Sequence, residues 1–142
     1  MAEDSLHRFI EAQNTHGAYA RALDELRAGA KASHWMWFIF PQIAGLGHSP
    51  TAQFYAIGNM DEARRYLAHP VLGPRLAECA KALLGWAGRA GAEQILGPTD
   101  AMKLRSSMTL FHAAGGDRMF GEVLNHFFDG QKDERTLAIL AQ

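Results

Sequence analysis

The chain has 142 residues, of which 48% are hydrophobic and 20% charged, and 14 basic against 15 acidic side chains give a formal net charge of −1. This length and composition exclude a disordered chain, and we expect a single domain over residues 1–142 with one core. The balanced charge excludes a dedicated binder of duplex nucleic acid, because such proteins neutralise phosphates with basic residues.

Helical spacing of apolar residues runs through the first third of the chain. It predicts helices over 6–13 and 19–26, and Gly29 ends the second of them. By pattern alone, residues 34–40 fit either a two-turn helix or a buried strand. We favour the helix, because no neighbouring stretch alternates as a strand partner would and because Pro41 ends a helix naturally.

The rest of the chain continues with the helical period. A turn at 45–48 leads into a helix that has Ser49 as its cap and Pro50 in its first turn. Helices are predicted over 51–57, 61–67, 72–86, 92–96, 100–112, 117–128 and 133–140. Because every segment is helical in period, we predict an all-α fold, a compact bundle of about seven or eight short helices.

The single cysteine, Cys79, excludes an internal disulfide and a cysteine-rich zinc site. It suits a reducing compartment, so we expect a cytoplasmic protein. Acidic residues stand near the start, where a signal peptide carries basic ones, and no apolar run is long enough to span a bilayer. We therefore expect neither secretion nor membrane association. Nothing in the sequence sets an oligomeric state.

One stretch, from Ala32 to Met60, contains no Asp, Glu, Lys or Arg. It can leave water without burying an ionised group, yet its polar and amphipathic side chains need partners once they are buried. We therefore expect the candidate site to lie within it.

His34 is the candidate general acid or base in this stretch, because imidazole titrates near neutral pH. Lys31 precedes it by about one turn, and Trp35 or Trp37 can stack a planar ring. The alternative is a core histidine bonded to a backbone carbonyl, with both tryptophans as core residues.

A loop that contains Gly45, Gly47, His48 and Ser49 precedes a helix start. Free N–H groups at such a start can bind an anion, and glycine lets a ligand approach the backbone. The alternative is a turn that requires positive φ. No strand precedes the loop, as a nucleotide-binding fingerprint would require.

Asp100, Lys103 and Ser107 share one face of a predicted helix, and Ser106 lies beside them. A carboxylate, an ammonium group and hydroxyls on one face can hold a polar ligand or orient His34. In the alternative, Asp100 or Thr99 caps the helix, Lys103 pairs with Asp100, and the serines bond back to the preceding turn.

The seven histidines include no pair with the i, i+4 spacing of a metal site, so we expect no metal and no cofactor. No Gly-x-Ser-x-Gly elbow is present either. A Ser-His-Asp triad would have to assemble from distant residues.

Short motifs spread over nearly the whole chain resemble those of one family. They include Arg8-Phe9, Ala12-Gln13, His34-Trp-Met-Trp-Phe-Ile-Phe-Pro-Gln42, Gly45-Leu-Gly47, Tyr55-Ala-Ile57, His69-Pro70, Lys103-Leu104, Ser106-Ser-Met-Thr-Leu-Phe111 and Phe127-Phe128. The chain resembles the uncharacterised bacterial family called domain of unknown function 1810. That resemblance implies a small all-helical domain and brings no established activity or catalytic residues. Some members carry the label calpastatin, but that inhibitor is a disordered chain, whereas this composition requires a packed core.

These patterns favour a pocket built by residues 34–49 and 100–112 that binds a small polar ligand with a flat ring. A nucleotide or an ADP-ribose-like compound suits it, and its hydrolysis would use His34 and Asp100 for proton transfer. The predicted ligand-binding residues are Lys31, Trp35, Trp37, Gln42, Gly45, Gly47, His48, Ser49, Lys103, Ser106 and Ser107. The alternatives are a non-catalytic domain that binds a metabolite or a protein, and an aromatic segment that is only core.

Overall fold

A computed structural model describes residues 5–142 and confirms the all-α fold class. Ten α-helical segments occur within these residues, one for each of the ten stretches with helical spacing, so the bundle has more helices than the seven or eight expected of it. The helices are α1 (His7–Asn14), α2 (Ala18–Ala28), α3 (Met36–Ile39), α4 (Pro50–Phe54), α5 (Met60–Ala68), α6 (Leu72–Leu84), α7 (Ala92–Leu96), α8 (Pro98–Ala113), α9 (Met119–Phe128) and α10 (Glu134–Leu140). A 3-10 turn at Thr15–Gly17 joins α1 to α2.

The loop after α3 is tied to the segment after α4 by an isolated parallel bridge between Ile43 and Ile57. The Ala44 N–H donates to the Ile57 carbonyl, and the Ile57 N–H donates to the Gln42 carbonyl, both at 2.8 Å. Because Ile57 pairs in this way, α4 ends at Phe54 rather than at the predicted residue 57. This bridge fixes the position of the loop that carries Gln42.

Helix α8 lies at the centre of the bundle and packs against α5, α7, α9 and α10. A row of buried rings links it to other helices. Tyr66 lies 5.2 Å from Phe9 and 5.2 Å from Phe111, and Phe111 lies 6.2 Å from Phe120, measured between ring centroids. These contacts hold α1, α5, α8 and α9 together. No helix within residues 5–142 has both the length and the apolarity needed to cross a membrane.

Helix α6 buries one apolar stripe. It consists of Leu72, Leu76, Cys79, Ala80 and Leu83. Burial raises the pKa of the Cys79 thiol to about 12. Because the thiolate is the reactive form, little of it is present near neutral pH.

We expect the native protein to react with Ellman's reagent at pH 8 at least about a hundredfold more slowly than the unfolded chain. The readout is the absorbance of released thionitrobenzoate, followed with and without guanidinium chloride. Fast reaction of one thiol per native chain would contradict the buried position of Cys79.

Candidate functional site

Three charged side chains meet at the first turn of α8. Lys31 Nζ lies 3.0 Å from Asp100 Oδ2, and Lys103 Nζ lies 3.5 Å from Asp100 Oδ1. The side chains of Lys31, Asp100 and Lys103 are 10%, 18% and 23% exposed, so water screens them only in part. Two ammonium groups share one carboxylate, which leaves one positive charge in excess.

Within α8, the alternative reading of the polar face holds for two residues. Lys103 pairs with Asp100, and the Ser106 hydroxyl donates to the Met102 carbonyl one turn earlier, at 3.2 Å. Neither Asp100 nor Thr99 caps the helix, because α8 begins at Pro98 with Gly97 at the cap position. Ser107 is fully buried and its hydroxyl has no partner among the described residues, so the structure does not offer it to a ligand.

The two tryptophans differ in burial. Trp35 is 1% exposed, its Nε1–H donates to Glu25 at 2.8 Å, and Lys31 Nζ lies 5.1 Å from its ring. The ring of Trp35 is therefore part of the core, and the stacking of a ligand on it remains a prediction. Trp37 is partly exposed, and Lys103 Nζ lies 4.5 Å from its ring centroid. Only Trp37 keeps an accessible edge.

Glu25 of α2 organises the segment that carries Lys31 and Trp35. Its carboxylate accepts from the Ala32 N–H at 2.7 Å, the Ser33 N–H at 3.0 Å, the Ser33 hydroxyl at 2.6 Å and the Trp35 indole at 2.8 Å. Burial by itself would raise the pKa of this carboxyl, but these hydrogen bonds outweigh it and lower the pKa to about 2.

Charged side chains of α1 and α5 bond to the backbone at the far end of the charge-free stretch. Arg8 donates to the carbonyls of Phe54 and Ala56, both at 2.7 Å, and pairs with Glu62 at 3.3 Å. Glu62 in turn accepts from the Gly58 N–H at 2.8 Å. Burial opposes ionisation of Glu62, yet the hydrogen bond from Gly58 and the nearby Arg8 hold its pKa below its ordinary value. Residues 32–60 contain no charged side chain, so charged side chains of other helices bond to their backbone groups instead.

His34 is exposed, and among the described residues its imidazole makes no hydrogen bond or ion pair. The carboxylate of Asp100 is held by Lys31 and Lys103 instead. The catalytic pairing of His34 with Asp100 remains a prediction. Within residues 5–142, no group of three or more His, Cys, Asp or Glu side chains is arranged to hold a metal ion.

A cleft of about 260 Å³ lies between the loop after α3 and helices α8 and α10; we call it the α8 cleft. Four of the predicted ligand-binding residues line it: Gln42, Gly47, Lys103 and Ser106. Gln42 and Gly47 also line a small adjoining hollow of about 10 Å³, which reaches Trp37 and Tyr55. The two predicted stretches therefore meet at one cleft, beside the accessible tryptophan.

The other loop residues have local roles. The Ser49 hydroxyl accepts from the Ala52 N–H at 3.1 Å, which confirms Ser49 as the cap of α4. Gly45 has φ +105, a conformation that favours glycine, and a Cβ there would lie 3.3 Å from Ile139. His48 is exposed, and its carbonyl accepts from Gln53 at 2.8 Å. Gly45, His48 and Ser49 do not line the α8 cleft.

Five further residues of the α8 cleft were not predicted as ligand-binding residues. They are Leu46, Thr99, Met102, Asp133 and Arg135. Asp133 is the first residue of the helix predicted over 133–140, and it caps α10, because its carboxylate accepts from the Thr136 N–H at 3.0 Å. No local signal marks Arg135, because its place beside α8 depends on how α10 packs.

Comparisons with known proteins find similarity along nearly the whole chain. The profile of a family described as "Protein of unknown function (DUF1810)" matches residues 3–140. The 1.38 Å crystal structure of the conserved hypothetical protein Rv1873 from Mycobacterium tuberculosis is 46% identical, with a TM-score of 0.91 over 96% of each chain. A comparison with curated proteins found no match. These similarities extend to the whole fold and carry no activity with them.

Proposed function

The chain belongs to the DUF1810 family of proteins of unknown function, and from its own geometry we propose that it binds a small anionic metabolite in the α8 cleft. The observation that carries the proposal is the excess of positive charge there. Lys31 and Lys103 share the single carboxylate of Asp100, at 3.0 Å and 3.5 Å, so the charge of Lys103 is compensated only in part and can attract an anion.

A second cation supports this choice. Arg135 is exposed, lines the α8 cleft and makes no ion pair in the described part of the chain. The carboxylate of its neighbour Asp133 is occupied by the Thr136 N–H and by the Thr136 hydroxyl, at 2.5 Å. A phosphate or carboxylate can therefore contact Lys103 and Arg135 together.

The walls of the cleft suit a ligand with a flat, weakly polar part. Leu46 and Met102 provide apolar contact, and Met102 is 68% exposed. Gln42 adds an amide group that can form hydrogen bonds with polar atoms at the edge of a ring. The volume of about 260 Å³ is just under the range of about 300–1,000 Å³ typical of ligand pockets, which favours a small metabolite such as a nucleoside monophosphate.

Binding is better supported than hydrolysis. Catalysis by the predicted pair requires Asp100 as a proton acceptor, yet two lysines hold its carboxylate. His34 lies outside the lining of the α8 cleft. We therefore favour the non-catalytic, metabolite-binding alternative, and we place the protein in the cytoplasm, where small phosphorylated metabolites are abundant.

The test is calorimetric titration with adenosine monophosphate, with adenosine as the uncharged control. We expect Lys103→Met to weaken binding by about tenfold or more, because it removes a charged partner of the anion. Lys81→Met, at an exposed lysine of α6, should leave the affinity unchanged.

Equal affinity for adenosine and its monophosphate would contradict an anion site, as would a full-affinity Lys103→Met variant. Urea unfolding of the variants separates lost binding from lost folding. Product release that depends on His34 would instead support the hydrolytic reading.

A further inference from the structure

A second cleft, of about 330 Å³, has α1 and the α1–α2 turn on one side and Phe38 of α3 with the end of α4 on the other; we call it the aromatic cleft. Phe38, Phe54 and Tyr55 line it, with ring centroids 5.5 Å apart for Phe38 and Tyr55 and 4.8 Å apart for Phe54 and Tyr55. Phe54 is 57% exposed. An exposed phenylalanine in a concave, ring-lined surface is typical of a ligand-binding cleft.

Arg21 supplies an available cation at this cleft. It is exposed and, among the described residues, makes no ion pair. One of its Nη atoms donates to the His16 carbonyl at 3.0 Å, which holds the guanidinium at the rim and leaves its other N–H groups available. Arg8 also lines the cleft, but the Phe54 and Ala56 carbonyls and Glu62 occupy it.

The turn that positions Arg21 is unusual in its backbone. His16 has φ +52 and ψ +29, in the left-handed region that residues other than glycine rarely adopt. This conformation turns the chain between α1 and α2 and presents the His16 carbonyl to Arg21. The arrangement therefore places one guanidinium beside the aromatic wall.

We propose that the aromatic cleft binds a small aromatic carboxylate, with its ring against Phe54 and Tyr55 and its carboxylate on Arg21. A planar guanidinium matches a carboxylate with two parallel hydrogen bonds. Tyr55 also lines the cleft, and its phenolic O–H can donate to a carboxylate. Glu11, which also lines the cleft, repels a doubly charged phosphate about twice as strongly as a singly charged carboxylate.

This site is separate from the proposed function. The aromatic cleft and the α8 cleft share no lining residue. Its ring-lined wall and single available guanidinium also differ from the α8 cleft, where a lysine and an arginine face an aliphatic wall.

The experiment is an NMR titration of the intact chain with phenylacetate, using phenylacetamide and acetate as controls. We expect saturable shifts of the Phe54 and Tyr55 amides below about 10 mM phenylacetate, with phenylacetamide at least about tenfold weaker. Acetate should give no saturable shift over that range.

Matched variants locate the site. Arg21→Met and Phe54→Ala should each weaken phenylacetate binding by about tenfold, whereas Arg64→Met, at an exposed arginine of α5, and Lys103→Met should not. Because all four side chains are exposed or partly exposed, amide spectra that match the wild type will verify folding.

The proposal is overturned if phenylacetate produces no saturable shift, if acetate alone reproduces the shifts, or if Arg21→Met binds normally. Loss of binding in Lys103→Met but not in Arg21→Met places the ligand in the α8 cleft. That result overturns this proposal while leaving the proposed function standing.

Discussion

Replacing Glu25 by Gln is expected to lower the free energy of unfolding by about 3 kcal/mol, because hydrogen bonds to a charged acceptor contribute about 1.5–3 kcal/mol each and are not additive. The Glu25 carboxylate accepts four hydrogen bonds, and the amide oxygen of glutamine can accept only some of them. The Trp35 indole N–H lies on a ring that is 1% exposed, so its loss of a partner is costly. Urea unfolding with an unchanged m-value measures the effect.

Glu78→Gln is the matched control. Glu78 pairs with Arg27 at 3.3 Å, but both side chains are about half exposed, at 48% and 57%. Surface pairs of this kind contribute at most about 1 kcal/mol. Equal losses in the two variants would contradict the organising role of Glu25.

The Glu25 contribution also depends on pH. Its pKa is about 2 in the folded protein against an ordinary value of 4.5, so the unfolded chain takes up the proton first as the pH falls. The stabilisation is complete above pH 4.5 and is lost as the pH falls toward 2. The gap in stability between wild type and Glu25→Gln should therefore narrow over that window, and a constant gap would contradict the assignment.

Replacing Gly73 by Ala is expected to cost about 3 kcal/mol or more, because the new methyl group has no room. A Cβ at Gly73 would lie 2.2 Å from the carbonyl oxygen of Leu67, and this oxygen belongs to the backbone of α5 rather than to a mobile side chain. The φ of Gly73 is not positive, so alanine adds no backbone strain, and its better helix propensity offsets the clash by only about 1 kcal/mol or less. Thermal and urea unfolding provide the readouts.

Gly91→Ala is the corresponding control. Gly91 has φ −85, and its nearest neighbour for a Cβ is Gln94 Oε1 at 3.8 Å, an ordinary contact. We expect a change within about 1 kcal/mol, the range of substitutions at a helix cap. If Gly73→Ala is tolerated as well as Gly91→Ala, then α5 and α6 do not approach as closely as described.

Local patterns predicted the helices well where one face is apolar. The stripe on α6 is a clear case, since Leu72, Leu76 and Leu83 repeat at helical spacing and all are buried. The end of α4 was misplaced because Ile57 pairs with Gln42 and Ala44, a contact that helical spacing does not encode. Helix α8 shows no such stripe because several helices surround it.

The sequence predicted the candidate site less well than the helices. Hydrophobicity does not reveal which of two neighbouring tryptophans is buried, and Trp35 and Trp37 differ because only Trp35 reaches Glu25. The Lys31–Asp100 pair joins residues far apart in sequence, so no spacing rule applies to it. Arg135 likewise reaches the α8 cleft only through the packing of α10.

The sequence by itself determined the all-α class and the place of the charge-free stretch, because periodicity and composition are local properties of the chain. Only the tertiary structure decided which charged side chains contact that stretch. Arg8, Glu25, Glu62 and Lys103 all come from outside residues 32–60, and they reach it through the packing of α1, α2, α5 and α8. A buried polar group requires a partner but does not specify one, and helix packing makes that choice.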